Sequence, residues 1–235
     1  ENSFINYFDK ETEIYKGMKK IDDQLGGTTP LNIILKFPKK EISLNKQQGD
    51  EFDEWEENNE EEDKAKYWFT RDKMDRIINV HEYLDSMPEV GKVLSFGSIL
   101  KVAEDLNEKK LQSLEIAVLY SKIPDEIKKE IITPYISVEK DEARIVIRIK
   151  DSLVDLRRDE LIKKIENDLN KKLGFDKDEY KLAGVLILFN NLLQSLFKSQ
   201  ILTLGIVILG IFSMFFVLFR NLAISFIGIV PNFIA

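Results

Sequence analysis

Cysteine is absent from this sequence, and histidine occurs once, at His81. Without cysteine there is no disulfide framework and no thiolate metal site. The sequence also lacks a glycine-rich phosphate loop and a His–carboxylate–Ser set close in sequence. We therefore expect no enzymatic activity, no cofactor and no metal site. His81 is either a proton-sensing or metal-binding group or a partly buried structural residue, and the missing second ligand favours the structural role.

Negative charge is concentrated in one tract of the chain. The chain has a net charge of −7, and Asp50–Asp63 carries ten carboxylates and no base. Removing those ten charges leaves +3 for the rest of the chain. Because no basic stripe is available to displace counterions from phosphates, a nucleic-acid partner is not expected.

The acidic tract lies within residues 39–69, a range without hydrophobic periodicity. Clustered carboxylates indicate either a calcium site or a solvated insertion. A calcium loop places oxygen ligands at fixed offsets around a tight glycine turn, and the tract has no such glycine. We interpret residues 39–69 as a solvated loop insertion.

A long uncharged run extends from Ile201 to Phe219, with Thr203 and Ser213 as its only side-chain hydrogen-bonding groups. Nineteen helical residues at about 1.5 Å each span roughly 28 Å, close to the thickness of a bilayer's hydrocarbon core. A buried helix of a large soluble protein is the alternative, but such helices rarely stay uncharged over this length. After Arg220-Asn221 a second apolar run begins at residue 222, and we expect the chain to be an excerpt that ends within that span.

The first 184 residues alternate between strand-like and helix-like periodicity. Apolar residues recur every second position over residues 31–37 and 143–149, which predicts two strands with one buried face each. Shorter strands are predicted at residues 92–95, 135–138 and 179–183. Helical spacing and end signals predict a first helix that is capped by Asp9 or Thr12 and runs to about Leu25. Further helices are predicted at residues 71–87, 98–106, 111–122, 124–133 and 155–173. The first helix carries an apolar stripe formed by Ile14, Met18, Ile21 and Leu25.

Without the inserted helices, the predicted order is strand, helix, strand, strand, helix, strand. This is the split βαβ order of the ferredoxin-like fold, a sheet with helices on one face. We therefore predict an α+β domain over residues 1–184, followed by transmembrane helices. No helix breaker separates Val185 from Phe219, so residues 185–219 are predicted to form one helix that enters and crosses the membrane. Residues 222–235 would begin a further transmembrane helix.

Two neighbouring residues in that last run are candidates for packing inside the membrane. Pro231 frees a backbone carbonyl about one turn earlier, and Asn232 needs hydrogen-bond partners in hydrocarbon. Counted from Leu222, Asn232 lies roughly 16 Å deep at 1.5 Å per residue. The two residues are therefore expected to face other transmembrane helices, although an asparagine capping a short helix is the simpler alternative.

Two segments resemble a known family. They are NSFINYFDKETEIYKGMKKIDDQLGGTTPLNIILKFP near the start and AGVLILFNNLLQSLFKSQILTLGIVILGIFSMFFVLFRNLAISFIGIVPN near the end. Both look like the resistance-nodulation-division (RND) superfamily of exporters, in the MMPL and hopanoid- or lipid-exporter-like branch related to Patched. The most specific features are Ser199-Gln200 entering the second transmembrane helix, Arg220 after it, and Pro231-Asn232 in the third.

The resemblance implies a multi-pass transporter of the inner membrane that is driven by a proton gradient. In such a protein this chain would supply a periplasmic porter domain and its adjoining helices. Its partners would be the lipid bilayer, a hydrophobic or lipid-like substrate and the protein's other transmembrane helices. A short connection containing Arg220 is typical of the cytoplasmic side, which agrees with a periplasmic domain. The alternative is a membrane-tethered, extracytoplasmic ligand-binding or sensory domain that signals through its helix.

Overall fold

The computed structural model describes residues 4–37, 68–153 and 156–234 of the chain. The chain divides into two compact units, Glu1–Ile187 and Leu188–Ala235. The first unit contains all the strands found among the described residues. The second consists of helix.

The described residues form eight α-helices, five strands and one short 3₁₀ helix at Phe4–Tyr7. The helices are α1 (Glu13–Gln24), α2 (Arg71–Asp85), α3 (Phe96–Asn107), α4 (Ser113–Lys122), α5 (Asp125–Ile131), α6 (Arg158–Lys171), α7 (Val185–Phe219) and α8 (Leu222–Ile234). The strands are β1 (Thr29–Lys36), β2 (Val90–Leu94), β3 (Ile136–Ser137), β4 (Glu142–Ile149) and β5 (Tyr180–Ala183). The predicted α+β class is confirmed.

The five strands form one antiparallel sheet in the order β2-β4-β1-β5, and β3 adds a short pairing to β4. The two central strands pair along their whole length, with Leu31 opposite Ile147 and Ile33 opposite Ile145. These are the two strands with the clearest alternation in sequence. Alternate side chains point to opposite faces of a strand, so the register brings both apolar sets to the same face.

One face of the sheet forms the core. Leu31, Ile33, Leu35 and the facing β4 residues are fully buried, whereas Arg144 on the other face is exposed. Helices α2 and α6 add their apolar stripes to the same core cluster. The buried apolar residues of the two helices are Met74, Ile77, Val80, Leu84, Leu161, Ile162, Ile165 and Leu169.

Helix α1 begins and ends close to the predicted positions, but its apolar stripe does not join the core. Thr12 caps the helix by accepting a hydrogen bond from the backbone N–H of Tyr15. The only buried residue of α1 is Asp22. Ile14 and Leu25 stay 57% and 58% exposed. Helical spacing predicted the stripe, but the position of the helix is set by its polar side.

Two glycines are required by a close approach of two backbone segments. A Cβ on Gly91 would lie 2.4 Å from the carbonyl oxygen of Gly26, and one on Gly26 would lie 2.6 Å from the oxygen of Gly91. Gly91 lies within β2, and Gly26 follows the end of α1. Sequence spacing does not show this contact, because it joins residues far apart in the chain.

The insertion predicted over residues 39–69 ends earlier than expected. Trp68 and Phe69 are buried, and their rings lie 5.0 Å apart edge to face. Phe69 also stacks against Tyr120 of α4, with 4.7 Å between ring centroids. These two residues therefore belong to the core and not to a solvated loop. The acidic tract itself lies outside the described residues.

Helix α4 buries less apolar surface than its sequence spacing predicts. Helical spacing puts Leu114 and Val118 on one stripe with Ala117, yet Leu114 is 69% exposed and Val118 is 39% exposed. The buried residues of α4 are Ile116 and Ala117. The contact between Phe69 and Tyr120 fixes which side of α4 faces the core. The apolar spacing of a ten-residue helix does not by itself determine that side.

Candidate functional site

Few polar side chains are buried in the first unit, and each is a candidate for chemistry or for structure. Buried charges and hydroxyl groups need partners, because desolvation without a hydrogen bond costs free energy. The described residues of this kind are Asp22, His81, Ser95, Asp151, Arg158 and Asp168.

Asp22 is a fully buried carboxylate surrounded by hydrogen-bond donors. Its Oδ1 accepts from the backbone N–H of Thr28 at 2.9 Å, the hydroxyl of Thr28 at 2.8 Å and the N–H of Asp151 at 2.9 Å. Its Oδ2 accepts from the N–H of Ser152 at 2.8 Å. Burial by itself favours the neutral acid, but the hydrogen bonds from Ser152, Asp151 and Thr28 outweigh it and lower the pKa of Asp22. The carboxylate thus fastens α1 to the sheet.

Asp151, whose backbone N–H binds Asp22, also forms a buried ion pair with Arg158 through its side chain. They lie at the two ends of the connection from β4 to α6, and both side chains are almost completely buried. A buried charge of this kind is tolerated because its partner compensates it, and removal of one partner leaves the other uncompensated. The pair fixes the path of the connection, which is a structural role.

His81 of α2 and Ser95 before α3 form a second buried polar contact. His81 Nδ1 lies 3.0 Å from Ser95 Oγ. Ser95 Oγ also accepts from the backbone N–H of Gly97 at 3.0 Å and caps α3. Burial lowers the pKa of His81, and the positive charge of Lys101 lowers it further. Burial therefore favours the neutral imidazole, and its tautomer sets which of Nδ1 and the Ser95 hydroxyl donates the proton.

A serine beside an imidazole is also the arrangement of a nucleophile and its base. Here Ser95 is only 2% exposed, and its oxygen is already the cap of α3. Among the described residues no carboxylate hydrogen bonds to His81. The geometry therefore matches a capping pair, in agreement with the structural interpretation of His81. Sequence spacing missed the contact, because it assigned Ser95 to the end of a strand at residues 92–95 and began the next helix at residue 98.

Tyr83 of α2 donates its hydroxyl proton to Asp168 of α6 at 2.6 Å. Lys172 lies 2.9 Å from the same carboxylate. The hydrogen bond from Tyr83, followed by that from Lys172, lowers the pKa of Asp168. Burial and the neighbouring Asp168 raise the pKa of Tyr83. The contacts of Tyr83, Asp168 and Lys172 thus join α2 to α6 on the core face of the sheet.

No group of three or more histidine, aspartate or glutamate residues arranged to hold a metal ion occurs in the described ranges 4–37, 68–153 and 156–234.

The second unit consists of a long helix, a tight connection and a second helix. Arg220 adopts a left-handed conformation with φ of 50°. Asn221 Oδ1 then accepts from the N–H of Ala223 at 2.9 Å and caps α8. A Cβ on Gly228 of α8 would lie 3.1 Å from the ring of Phe215 in α7, so glycine permits close packing there.

Helix α7 is long and apolar enough to cross a membrane. The two hydroxyl groups of its uncharged run, residues 201–219, are satisfied within the helix, because Thr203 donates to the carbonyl of Ser199 and Ser213 donates to that of Leu209, each at 2.8 Å. In hydrocarbon such internal hydrogen bonds are needed, since no water is available. A shallow groove on this helix is lined by Leu196, Ser199, Gln200, Thr203, Leu204 and Val207.

The candidate packing residues Pro231 and Asn232 fall within the bounds of α8. Their side chains lie outside the described part of the structure. Their contacts with other helices therefore stay a prediction.

Comparison with known proteins identifies no relative. No protein-family model matches the chain, and a search of the curated proteins found no significant match.

Proposed function

We propose that this chain is part of an RND-type, proton-driven exporter that moves hydrophobic or lipid-like molecules out of the inner membrane. Its α+β domain would be the periplasmic porter domain. The resemblance of the two quoted segments to RND exporters carries the proposal, and one observation of the structure fits it: α7, which can cross a membrane, begins only two residues after β5. A helix attached to the sheet without a flexible linker can transmit force between membrane and domain.

The strand order supports a ferredoxin-like arrangement within this proposal. Strands β1 and β4 occupy the centre, β2 and β5 the edges, and all pairings are antiparallel. Helix α2 connects β1 to β2, and α6 connects β4 to β5. The split βαβ fold that we propose has this order of elements, and α3, α4, α5 and β3 would be insertions in it. We propose domain limits of 1–184, 185–219 and 222–235, as the sequence predicts.

The orientation in the membrane can be tested in this cysteine-free chain. The proposal puts Lys177, exposed in the turn before β5, in the periplasm and Asn221 in the cytoplasm. Single cysteines at the two positions would be treated with a membrane-impermeant thiol reagent on intact cells whose outer membrane is permeabilised. Labelling at Lys177→Cys but not at Asn221→Cys is expected. The reverse pattern would contradict the proposed orientation.

Transport requires the full-length protein that contains this chain. It would be expressed in cells lacking their own efflux pumps, and retention of a hydrophobic fluorescent dye would be measured. Expression should lower dye retention, and a protonophore should abolish the difference. Unchanged retention across several dyes and a fluorescent lipid, at normal expression, would reject the exporter.

The sensory alternative uses the same helical connection but moves no substrate. It predicts that ligand binding to the domain changes the activity of a cytoplasmic output domain. A helix that starts next to the sheet suits either function, so dye transport is the measurement that separates them.

A further inference from the structure

The face of the sheet opposite the core is basic. Side chains at alternate positions of a strand share one face, and the register brings five bases from four strands together there. The strands place one acid among them, the half-buried Glu142. All five bases are exposed. These residues, which form what we call the basic face, are Lys36, Lys92, Arg144, Arg148 and Lys181.

The bases of this face lie close together without a compensating charge. Lys92 is directly opposite Arg148, and like charges in opposite positions destabilise a sheet. Arg144 and Lys181 are two strands apart, which puts their Cα atoms about 10 Å from each other. Arg144 hydrogen bonds to the neutral side chain of Asn32. In the described part of the chain none of the five bases forms an ion pair. An anionic partner would therefore stabilise this face.

The acids that flank the strands pair with other bases. Asp141, just before β4, forms an ion pair with Lys73 at 3.7 Å. Glu179, just before β5, forms one with Arg76 at 3.0 Å. Both bases belong to α2, which packs on the core side of the sheet. These acids therefore leave the charge of the basic face uncompensated.

The acidic tract supplies the complementary charge in the same chain. It carries ten carboxylates and no base. It lies between Phe37, the residue after β1, and Trp68, and the ring centroids of these two residues are 6.1 Å apart. Twelve residues separate Phe37 from Asp50, which allows a reach of about 44 Å at about 3.4 Å per residue. Because the eight residues of β1 extend only about 27 Å, the tract can reach every base of the face.

We propose that the acidic tract binds the basic face of its own chain, with carboxylates of residues 50–63 pairing with the exposed lysines and arginines. Because the two are joined in one chain, the tract is present at a high effective concentration and competes with other anionic molecules for the face. Exposed ion pairs each contribute little to stability, so this contact agrees with a fold that survives removal of the tract. The inference depends neither on transport nor on the orientation in the membrane.

The test is cross-linking of the whole chain, reconstituted as one copy per nanodisc of phosphatidylcholine. A carbodiimide joins carboxylates to the lysine amines that they contact, and mass spectrometry identifies the joined residues. The reporter lysines are Lys92 and Lys181, which lie on strands other than β1, and the control lysines are Lys20 and Lys177, which are exposed outside the basic face. We expect the tract to be joined preferentially to the reporter lysines. Raising sodium chloride from about 0.05 M to about 0.5 M should reduce these cross-links, because salt screens exposed charges.

Charge reversal at the two arginines separates binding from mere proximity. Arg144→Glu combined with Arg148→Glu keeps both reporter lysines and should lower their cross-linking to the tract about fivefold, as expected for the loss of a few exposed ion pairs. Lys20→Glu combined with Lys177→Glu is the matched control, because it reverses two charges outside the basic face. It should leave the cross-linking of the reporter lysines unchanged. Arg144→Gln combined with Arg148→Gln replaces the reversal variant if that variant does not fold.

Two results of the cross-linking would overturn the proposal. The reporter lysines could react with the tract no more than the control lysines do, or their cross-linking could be unchanged by the arginine substitutions. Acetylation of the reporter lysines by a water-soluble reagent is an independent measurement, and it should be faster in a chain that lacks residues 49–63. Equally fast acetylation with and without the tract would show that the face is free. Equally slow acetylation would show that lipid headgroups or another protein surface covers it, and either result rejects the tract as its partner.

Discussion

The backbone N–H of Asp151 donates to the carboxylate of Asp22 across a distance of 2.9 Å and a sequence separation of 129 residues. This hydrogen bond joins the first helix to the end of β4. Because the carboxylate is buried and accepts four such bonds, it holds an otherwise uncovered helix against the sheet.

Replacing Asp22 should destabilise the domain. Asp22→Ala leaves several buried donors without an acceptor, and we expect a loss of about 3 kcal/mol in the free energy of unfolding. Asp22→Asn keeps one acceptor oxygen and should lose less. Asp23→Asn, an exposed change one residue later, should stay within about 0.5 kcal/mol of the parent. Urea unfolding in detergent, followed by tryptophan fluorescence, measures the free energy of unfolding of all three variants. Equal losses for Asp22→Ala and Asp23→Asn would contradict the role of Asp22 in holding α1 against the sheet.

Acidification should weaken the domain through His81. Burial lowers the folded-state pKa of His81 below its ordinary value of 6.5. The neutral histidine therefore stabilises the fold above pH 6.5, and this contribution is lost as the pH falls through the folded-state pKa. The pKa of Asp22 is lowered from 3.8, so its contribution is lost only in more acidic solution.

The measurement is the thermal midpoint between about pH 7 and pH 5 for the parent and for His81→Gln. Glutamine can still hydrogen bond to Ser95 but does not titrate, so the variant should show a flatter pH dependence. Parallel curves for the two proteins would reject His81 as the source of the slope.

The contact between Gly26 and Gly91 should not tolerate a side chain. Gly91→Ala places a methyl group 2.4 Å from the carbonyl oxygen of Gly26, so two backbone segments must separate. We expect a destabilisation of about 1–3 kcal/mol. Gly17→Ala is the matched control, because nothing lies within 4 Å of its Cβ position inside α1. That change should stabilise the helix by about 0.5–1 kcal/mol. Chemical unfolding measures the free energy of unfolding of both variants. A change of the same sign for Gly91→Ala and Gly17→Ala would contradict the close approach of Gly26 and Gly91.

Removal of the acidic tract should leave the fold intact. Deleting Gly49–Asp63, outside the described residues, should move the thermal midpoint by no more than about 5 °C, because a solvated loop contributes few buried contacts. Collapse of the fold would show that the tract is an integral element or a metal site. Calcium titration of the parent would then separate these two.

Asn232→Leu should insert normally but impair transport by the full-length protein. A hydrogen bond between membrane helices contributes only about 0.6–2 kcal/mol, yet it can fix the register of the helices. Val230→Leu, two residues earlier and exposed, is the matched control. Dye export by Asn232→Leu equal to that of Val230→Leu, at normal expression, would reject the packing role.

The sequence by itself determined the features that depend on local periodicity. Alternation identified β1 and β4, helical spacing identified α2 and α6, and the uncharged run from Ile201 to Phe219 identified the helix that can cross a membrane. Each of these segments carries its own pattern, because a strand with one buried face repeats every two residues and a helix every 3.6.

Tertiary structure alone decided the features that depend on distant partners. Asp22 and Asp23 are adjacent acids of similar sequence context, yet only Asp22 meets the N–H groups of Asp151 and Ser152. The sequence shows the apolar stripe of α1 but does not show that the stripe is exposed. The hydrogen bonds at Asp22 determine which side of the helix faces the sheet. Likewise, His81 and Ser95 meet only because α2 and the start of α3 pack together, and periodicity carries no information about such a contact.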